Sequence, residues 1–164
     1  MVELDYTLLS LTIIGSIFAG IVSSLIVQVI IKKVEKNGII SNMKKAIKQE
    51  IQENRDAIKY YKITTKTEPK MKTSEIKYLT IASYDSSVNS GDFILLSDEL
   101  RQEISELYTY IHITNFDSDQ LIKSQYIMPR NTTKFDELIQ RQLDALAKSY
   151  QVIITKSENL LKKL

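Results

Sequence analysis

The chain of 164 residues has no cysteine and no tryptophan, a single histidine, two prolines and four glycines. Without cysteine there is neither a disulfide frame nor a thiolate metal site, which agrees with a reducing compartment. The glycines stand isolated at Gly15, Gly20, Gly38 and Gly91, so no glycine-rich phosphate loop can be assembled. Scarcity of both turn residues, beside a wealth of Ile, Leu, Lys, Glu and Gln, favours long helices over a strand-and-turn architecture. The lone His112 falls beside the buried stripe of a predicted helix and reads as a packing or boundary residue, with a pH-sensitive role as the alternative.

Charge is missing locally as well. From Tyr6 to Ile31 no side chain is charged, while Leu, Ile, Val and Phe dominate. A hydrocarbon core of roughly 30 Å needs about 20 helical residues, so this run predicts a transmembrane helix with room for tilt. A cleaved signal peptide would need a basic start, a shorter apolar region and a small-residue cleavage site. Here the start carries Glu3 and Asp5, and Ser23-Ser24 is followed by more Leu, Ile and Val. Lys32, Lys33 and Lys36 follow the run directly, which by the positive-inside bias places the N-terminus outside and the C-terminal domain in the cytoplasm, the protein sitting single-pass in the cell inner membrane.

Within the span Thr12, Ser16, Gly20, Ser24 and Gln28 recur at every fourth position and share one helix face. Small residues at that spacing mark surfaces where membrane helices approach closely, so this face predicts self-association. Residues 32 to 72 then carry 12 basic against 5 acidic side chains, and residues 73 to 164 carry 10 against 13. The basic part abuts the span. Lys32, Lys33, Lys36, Lys66, Lys70 and Lys72 are the candidates for contact with lipid headgroups or another anion, worth about 1 kcal/mol for each basic residue near an anionic surface.

The expected fold is all-α: an N-terminal transmembrane helix followed by a cytoplasmic antiparallel helical bundle with a coiled-coil-like first helix. Three regions are expected: an anchor with its basic flank over 1–36, a juxtamembrane amphipathic helix and basic loop over 37–73, and a helical bundle domain over 74–164. Asn37-Gly38 predicts a helix stop. From Ile40 to about Lys62, the positions Ile47, Ile51, Asn54 and Ile58 form a seam of about three heptads, with Asn54 as a polar residue that would fix register between chains. Residues 63–73 read as a loop because of their threonines and Pro69. Thr73 or Ser74 would cap a third helix carrying Ile76, Leu79 and Ser83, ended by the Asn89 to Asp92 stretch. Ser97 would cap a fourth, with Leu100, Ile104, Leu107, Ile111 and Thr114 on its inner stripe and Asn115 at its end. Asn131, Thr132 or Thr133 would cap the last, whose inner face includes Phe135, Leu138, Leu146, Tyr150, Ile153 and Leu160.

The single N-terminal span, the basic helix from Glu50 to Tyr61, and the Ser-Gly-Asp-Phe and Leu-Leu-Ser-Asp-Glu-Leu elements within Tyr84 to Asn115 resemble small uncharacterised single-pass proteins of bacteria and archaea. That resemblance implies a helical cytoplasmic domain and carries no activity with it.

Chemistry is sparse. Asn115 to Asp119 imitates the start of a calcium loop but lacks its central glycine and has Tyr126 where a bidentate Glu is required. Asp98, Glu99, Glu103 and Glu106 gather at a helix start, where the dipole and solvent account for them better than paired-carboxylate catalysis. Aromatic residues do not interleave with the basic cluster, so no nucleic acid is expected. No cofactor, metal or enzymatic activity is expected. The expected function is a membrane-anchored, non-enzymatic interaction module that associates with copies of itself in the lipid bilayer and presents its cytoplasmic domain to a protein or a small anionic ligand. The alternative is an oligomeric membrane-active effector of the pore or toxin type, gated by that domain.

Overall fold

A computed structural model describes the backbone of residues 6–61, 71–127 and 133–164, and the side chains of residues 19–61, 71–124 and 135–164. Among the described residues the chain is all-α: four α-helices, three single turns of 3-10 helix and no strand. The helices are α1 (Tyr6–Ile58), α2 (Ala82–Asn89), α3 (Asp98–Ile127) and α4 (Thr133–Leu161), with 3-10 turns at Lys59–Tyr61, Thr73–Glu75 and Asp92–Leu95. The chain divides into two compact units, Met1–Ser41 and Asn42–Leu164.

In the first unit the backbone is helical from Tyr6 onward, as the long uncharged run requires. From Ile21 to Val34 the large apolar residues, Ile21, Val22, Leu25, Ile26, Val27, Val29, Ile30, Ile31 and Val34, are 49–66% exposed. Among the described residues no helix is long and apolar enough to cross a membrane. The expected span from Tyr6 to Ile31 falls in large part on side chains outside the described residues, including Thr12 and Ser16. Its described remainder, Ala19 to Ile31, is shorter than the roughly 20 residues that a bilayer needs, and lysines follow it at once.

The helix stop expected at Asn37-Gly38 does not form, because α1 runs through both residues. Gly38 does not take a left-handed conformation, and the positive-φ residue among those described is Gly91, at φ 79°. A glycine inside a helix costs about 1 kcal/mol, and good helix formers on both sides, each adding a hydrogen bond once the helix is nucleated, outweigh that.

The second unit is built on α3 and α4. They run antiparallel, since Lys163 just past the end of α4 pairs with Glu99 and Glu103 near the start of α3, and Lys156 within α4 pairs with Glu106 further along α3. Leu100, Ile104, Leu107, Ile111 and Leu121 from α3 are buried against a stripe of Leu143, Leu146, Tyr150, Ile153 and Leu160 from α4. Spacings of three and four put each set on one helix face, which is why both segments fold as amphipathic helices. Ile47, Ile51 and Ile58 of α1 are fully buried in the same unit.

Three further expectations change. Asn115 does not end α3, which continues to Ile127; Asn115 uses its side chain on a neighbouring segment instead of terminating its own. Leu138 is 45% exposed and outside the core, whereas Leu143, Ala147 and Ile154, which the spacing did not single out, are inside it. The helix expected from Thr73 or Ser74 is only a 3-10 turn, and α2 begins at Ala82. Between them lies a non-helical strap, residues 76–81. Ile76, Tyr78, Thr80 and Ile81 are β-branched or aromatic, which disfavours helix, and side chains from the long helices supply the hydrogen bonds that a helix would have made.

Candidate functional site

The strap is held by one side chain from each of three long helices. The carboxamide of Asn54 in α1 accepts from the Thr80 amide at 2.7 Å and donates to the Thr80 carbonyl at 2.8 Å. Asn115 in α3 does the same for Leu79, accepting at 2.9 Å and donating at 2.8 Å. Tyr150 in α4 takes the amide and the carbonyl of Lys77 with its single hydroxyl, both at 2.8 Å. Among the described residues no backbone group from Lys77 to Thr80 bonds to another backbone group, so these side chains stand in for a ladder partner.

Where the strap enters α2, Glu50 of α1 serves as the cap that Ile81 cannot provide. Its carboxyl oxygens accept from the amides of Ser83 at 2.7 Å and Tyr84 at 3.4 Å, and from the Tyr108 hydroxyl at 2.6 Å. Glu50 is 4% exposed. Donors that would otherwise be orphaned at a helix start surround it, and that start also carries the positive end of the helix dipole. Tyr84 stacks on Tyr108 with ring centroids 4.3 Å apart and takes the edge of Phe93 at 5.4 Å, which closes the site on its other side.

Burial, and then the acceptor at Glu50, push the Tyr108 hydroxyl well above the usual tyrosine range. Tyr150 is raised for the first of those reasons. Tyr61, which donates to Glu75 and tilts against the Tyr150 ring, is raised by burial and by Glu75. Glu75 is held below the ordinary glutamate value chiefly by the Lys72 amide that donates to it at 2.7 Å. The three hydroxyls donate accordingly: Tyr108 and Tyr61 to glutamate carboxyls, and Tyr150 to the Lys77 carbonyl.

The expected seam residues Ile47, Ile51, Asn54 and Ile58 are brought together, but they are packed by the chain itself, with Asn54 3% exposed and engaged by Thr80. Asn54 therefore fixes the strap within one chain. Gly20, Ser24 and Gln28 are exposed, and a Cβ at Gly20 would meet nothing within 4 Å. Lys32, Lys33, Lys36 and Lys72 are exposed as well, whereas Lys66 and Lys70 lie outside the described residues. His112 is a surface residue 4.0 Å from Asp85. The acidic cluster at the start of α3 is spent on ion pairs: Asp98 with Arg101, Glu99 and Glu103 with Lys163, and Glu106 with Lys156. A groove of about 470 Å³ runs beside these pairs, lined by Lys156, Lys162 and Lys163 together with Glu103 and Glu106, and Lys156 and Lys163 are engaged by glutamates. Among the described residues no three His, Asp or Glu side chains gather in a way that would hold a metal ion.

The sequence reading singled out Asn54, but as a register residue between chains, and it missed Asn54, Asn115 and Tyr150 as partners of the strap and Glu50 as the cap of α2. A signal was present: Glu50 lies one turn before Asn54 on the same apolar stripe, and a polar residue at a core position needs a partner. Comparison with protein-family models, with curated proteins and with solved structures gives no match.

Proposed function

We propose that the chain is a membrane-anchored, non-enzymatic interaction module, with Tyr6 to Ile31 crossing the bilayer, Lys32, Lys33 and Lys36 at the inner headgroups, and the unit from Asn42 onward presented to the cytoplasm. The observation that carries this reading is the exposure of large apolar side chains over most of the helix surface between Ile21 and Ile31, beside the narrow small and polar face of Gly20, Ser24 and Gln28. So broad an apolar surface is stable only when something apolar surrounds it, and each such side chain gains about 1.5 to 3 kcal/mol on full transfer out of water. The uncharged run and the lysines behind it supply the length and the orientation. The anchors associate through the open face of Gly20, Ser24 and Gln28. The Ile47, Ile51 and Ile58 seam does not extend this association, because those side chains are occupied within their own unit.

Reporter fusions at Leu164 together with cross-linking in native membranes test both parts. A reporter active only in the cytoplasm should work, and Gly20→Leu should reduce cross-linked oligomer by blocking close helix approach. Activity of a periplasm-only reporter would reverse the topology. Depolarisation of cells by the parent chain, absent with Gly20→Leu, would favour the pore-type effector.

A further inference from the structure

Three of the four residues from Lys77 to Thr80 have both backbone polar groups held by a single side chain: Lys77 by Tyr150, Leu79 by Asn115 and Thr80 by Asn54. A surface connection gives its amides to water or to its own turns. This strap gives them to α1, α3 and α4, one side chain from each. These contacts are made chiefly to backbone groups, with the Thr80 hydroxyl adding a donation to the Asn54 carboxamide oxygen at 3.2 Å, while Lys77, Tyr78 and Thr80 are otherwise exposed. What the site reads beyond backbone is apolar: Leu79 is 4% exposed, and Met71 ahead of it is 1% exposed. Affinity from main-chain bonds and selectivity from a pocket for an occasional side chain is the division of labour by which added-strand peptides are recognised.

We propose that Asn54, Asn115 and Tyr150 form a peptide-binding site whose resident ligand is the chain's own strap, and that in clusters the site takes the strap of a second copy. This rests on the clustering proposed above. Neighbouring anchors hold the copies at an effective concentration in about the millimolar range, and an exchanged segment makes the same contacts that it makes at home. The second copy is the fitting occupant because its strap is the same segment, with Leu79 at its centre, that the site already accommodates.

The full chain in mild detergent, titrated with a fluorescent synthetic peptide of residues 71–84, reads the site directly by anisotropy. Leu79→Asp in the chain weakens the resident strap, so that variant should bind the peptide at least about tenfold more tightly than the parent, whose site is already filled. Adding Asn54→Ala should weaken binding at least about tenfold, and a peptide carrying L79D should not bind. Absence of binding by a folded Leu79→Asp chain, or binding indifferent to Asn54→Ala, overturns the site. If Leu79→Asp unfolds the chain, the peptide should restore its helical dichroism, and no restoration overturns the site equally. Exchange is read by mixing, in bilayers, dye-labelled Leu79→Asp chains with chains carrying Asn54→Ala and Asn115→Ala. These complementary defects should raise energy transfer above that of either variant alone. Unchanged transfer overturns exchange. A chain monomeric in bilayers that still binds the peptide removes the clustering reading and exchange with it, and leaves the peptide result standing.

Discussion

The Tyr108 hydroxyl donates to Glu50 across 2.6 Å, joining two helices at positions 58 residues apart in the chain. Glu50 spends its other contacts on the amides of Ser83 and Tyr84, so one buried carboxyl ties α1, α2 and α3 together.

Removing either partner should therefore be costly, and unequally so. Tyr108→Phe loses one hydrogen bond and should cost about 1 to 3 kcal/mol. Glu50→Ala strands the hydroxyl and two amides at once and should cost about 2 to 5 kcal/mol. Urea unfolding of the full chain gives both values, and the double variant should be less destabilised than their sum. Additive losses would mean that the bond contributes nothing of its own.

Within the core, two substitutions to alanine should act in opposite directions. Leu107 is 1% exposed, and Leu107→Ala should cost about 2 to 5 kcal/mol through lost burial and the cavity left behind. Ser157 is fully buried, and its hydroxyl has no hydrogen-bond partner among the described residues. Ser157→Ala removes a desolvated polar group, so it should leave stability unchanged or raise it by about 1 kcal/mol. Thermal midpoints compared with the parent decide both, and a strongly destabilised Ser157→Ala would show that the hydroxyl is engaged.

Alkaline pH should unfold the chain. Tyr108 and Tyr150 have hydroxyls raised above the ordinary tyrosine value in the folded state. Their contribution is fully present below the unfolded value near pH 10 and is lost as pH rises beyond it, because only the unfolded chain can then ionise them. Tyr108 makes stability fall by up to about 1.4 kcal/mol per pH unit in that window, and Tyr150 adds to the fall in the same direction. Urea midpoints at several pH values above 9 should show this slope, and Tyr108→Phe should reduce it. A flat profile would mean that these tyrosines titrate as they do in water.

How much of this was legible depended on periodicity. The inner stripes of α3 and α4 repeat every three or four residues for several turns, so Leu100, Ile104, Leu107, Leu146, Tyr150 and Ile153 could be placed from spacing alone. Gly91 was legible as a break because it interrupts a short helix with little on its far side to continue it, whereas Gly38 was misread because helix formers flank it on both sides. The strap was hidden for a different reason. Its conformation is determined by residues 26, 36 and 73 positions away, and no local pattern in 76–81 records them. Asn115 was misjudged through the same blindness: an Asn in a polar stretch looks like a helix end until its partner on another segment is known.

Those long sequence separations also set an order in time. The three attachments of Asn54, Asn115 and Tyr150 to the strap close loops of very different length, and a helical protein otherwise rich in local contacts must wait for the longest. During synthesis Asn54 is available before the strap emerges, Asn115 follows, and Tyr150 comes last, when most of α4 has been made. Until then the Lys77 amide lacks its folded-state partner, so the final fastening of the strap coincides with the docking of α4.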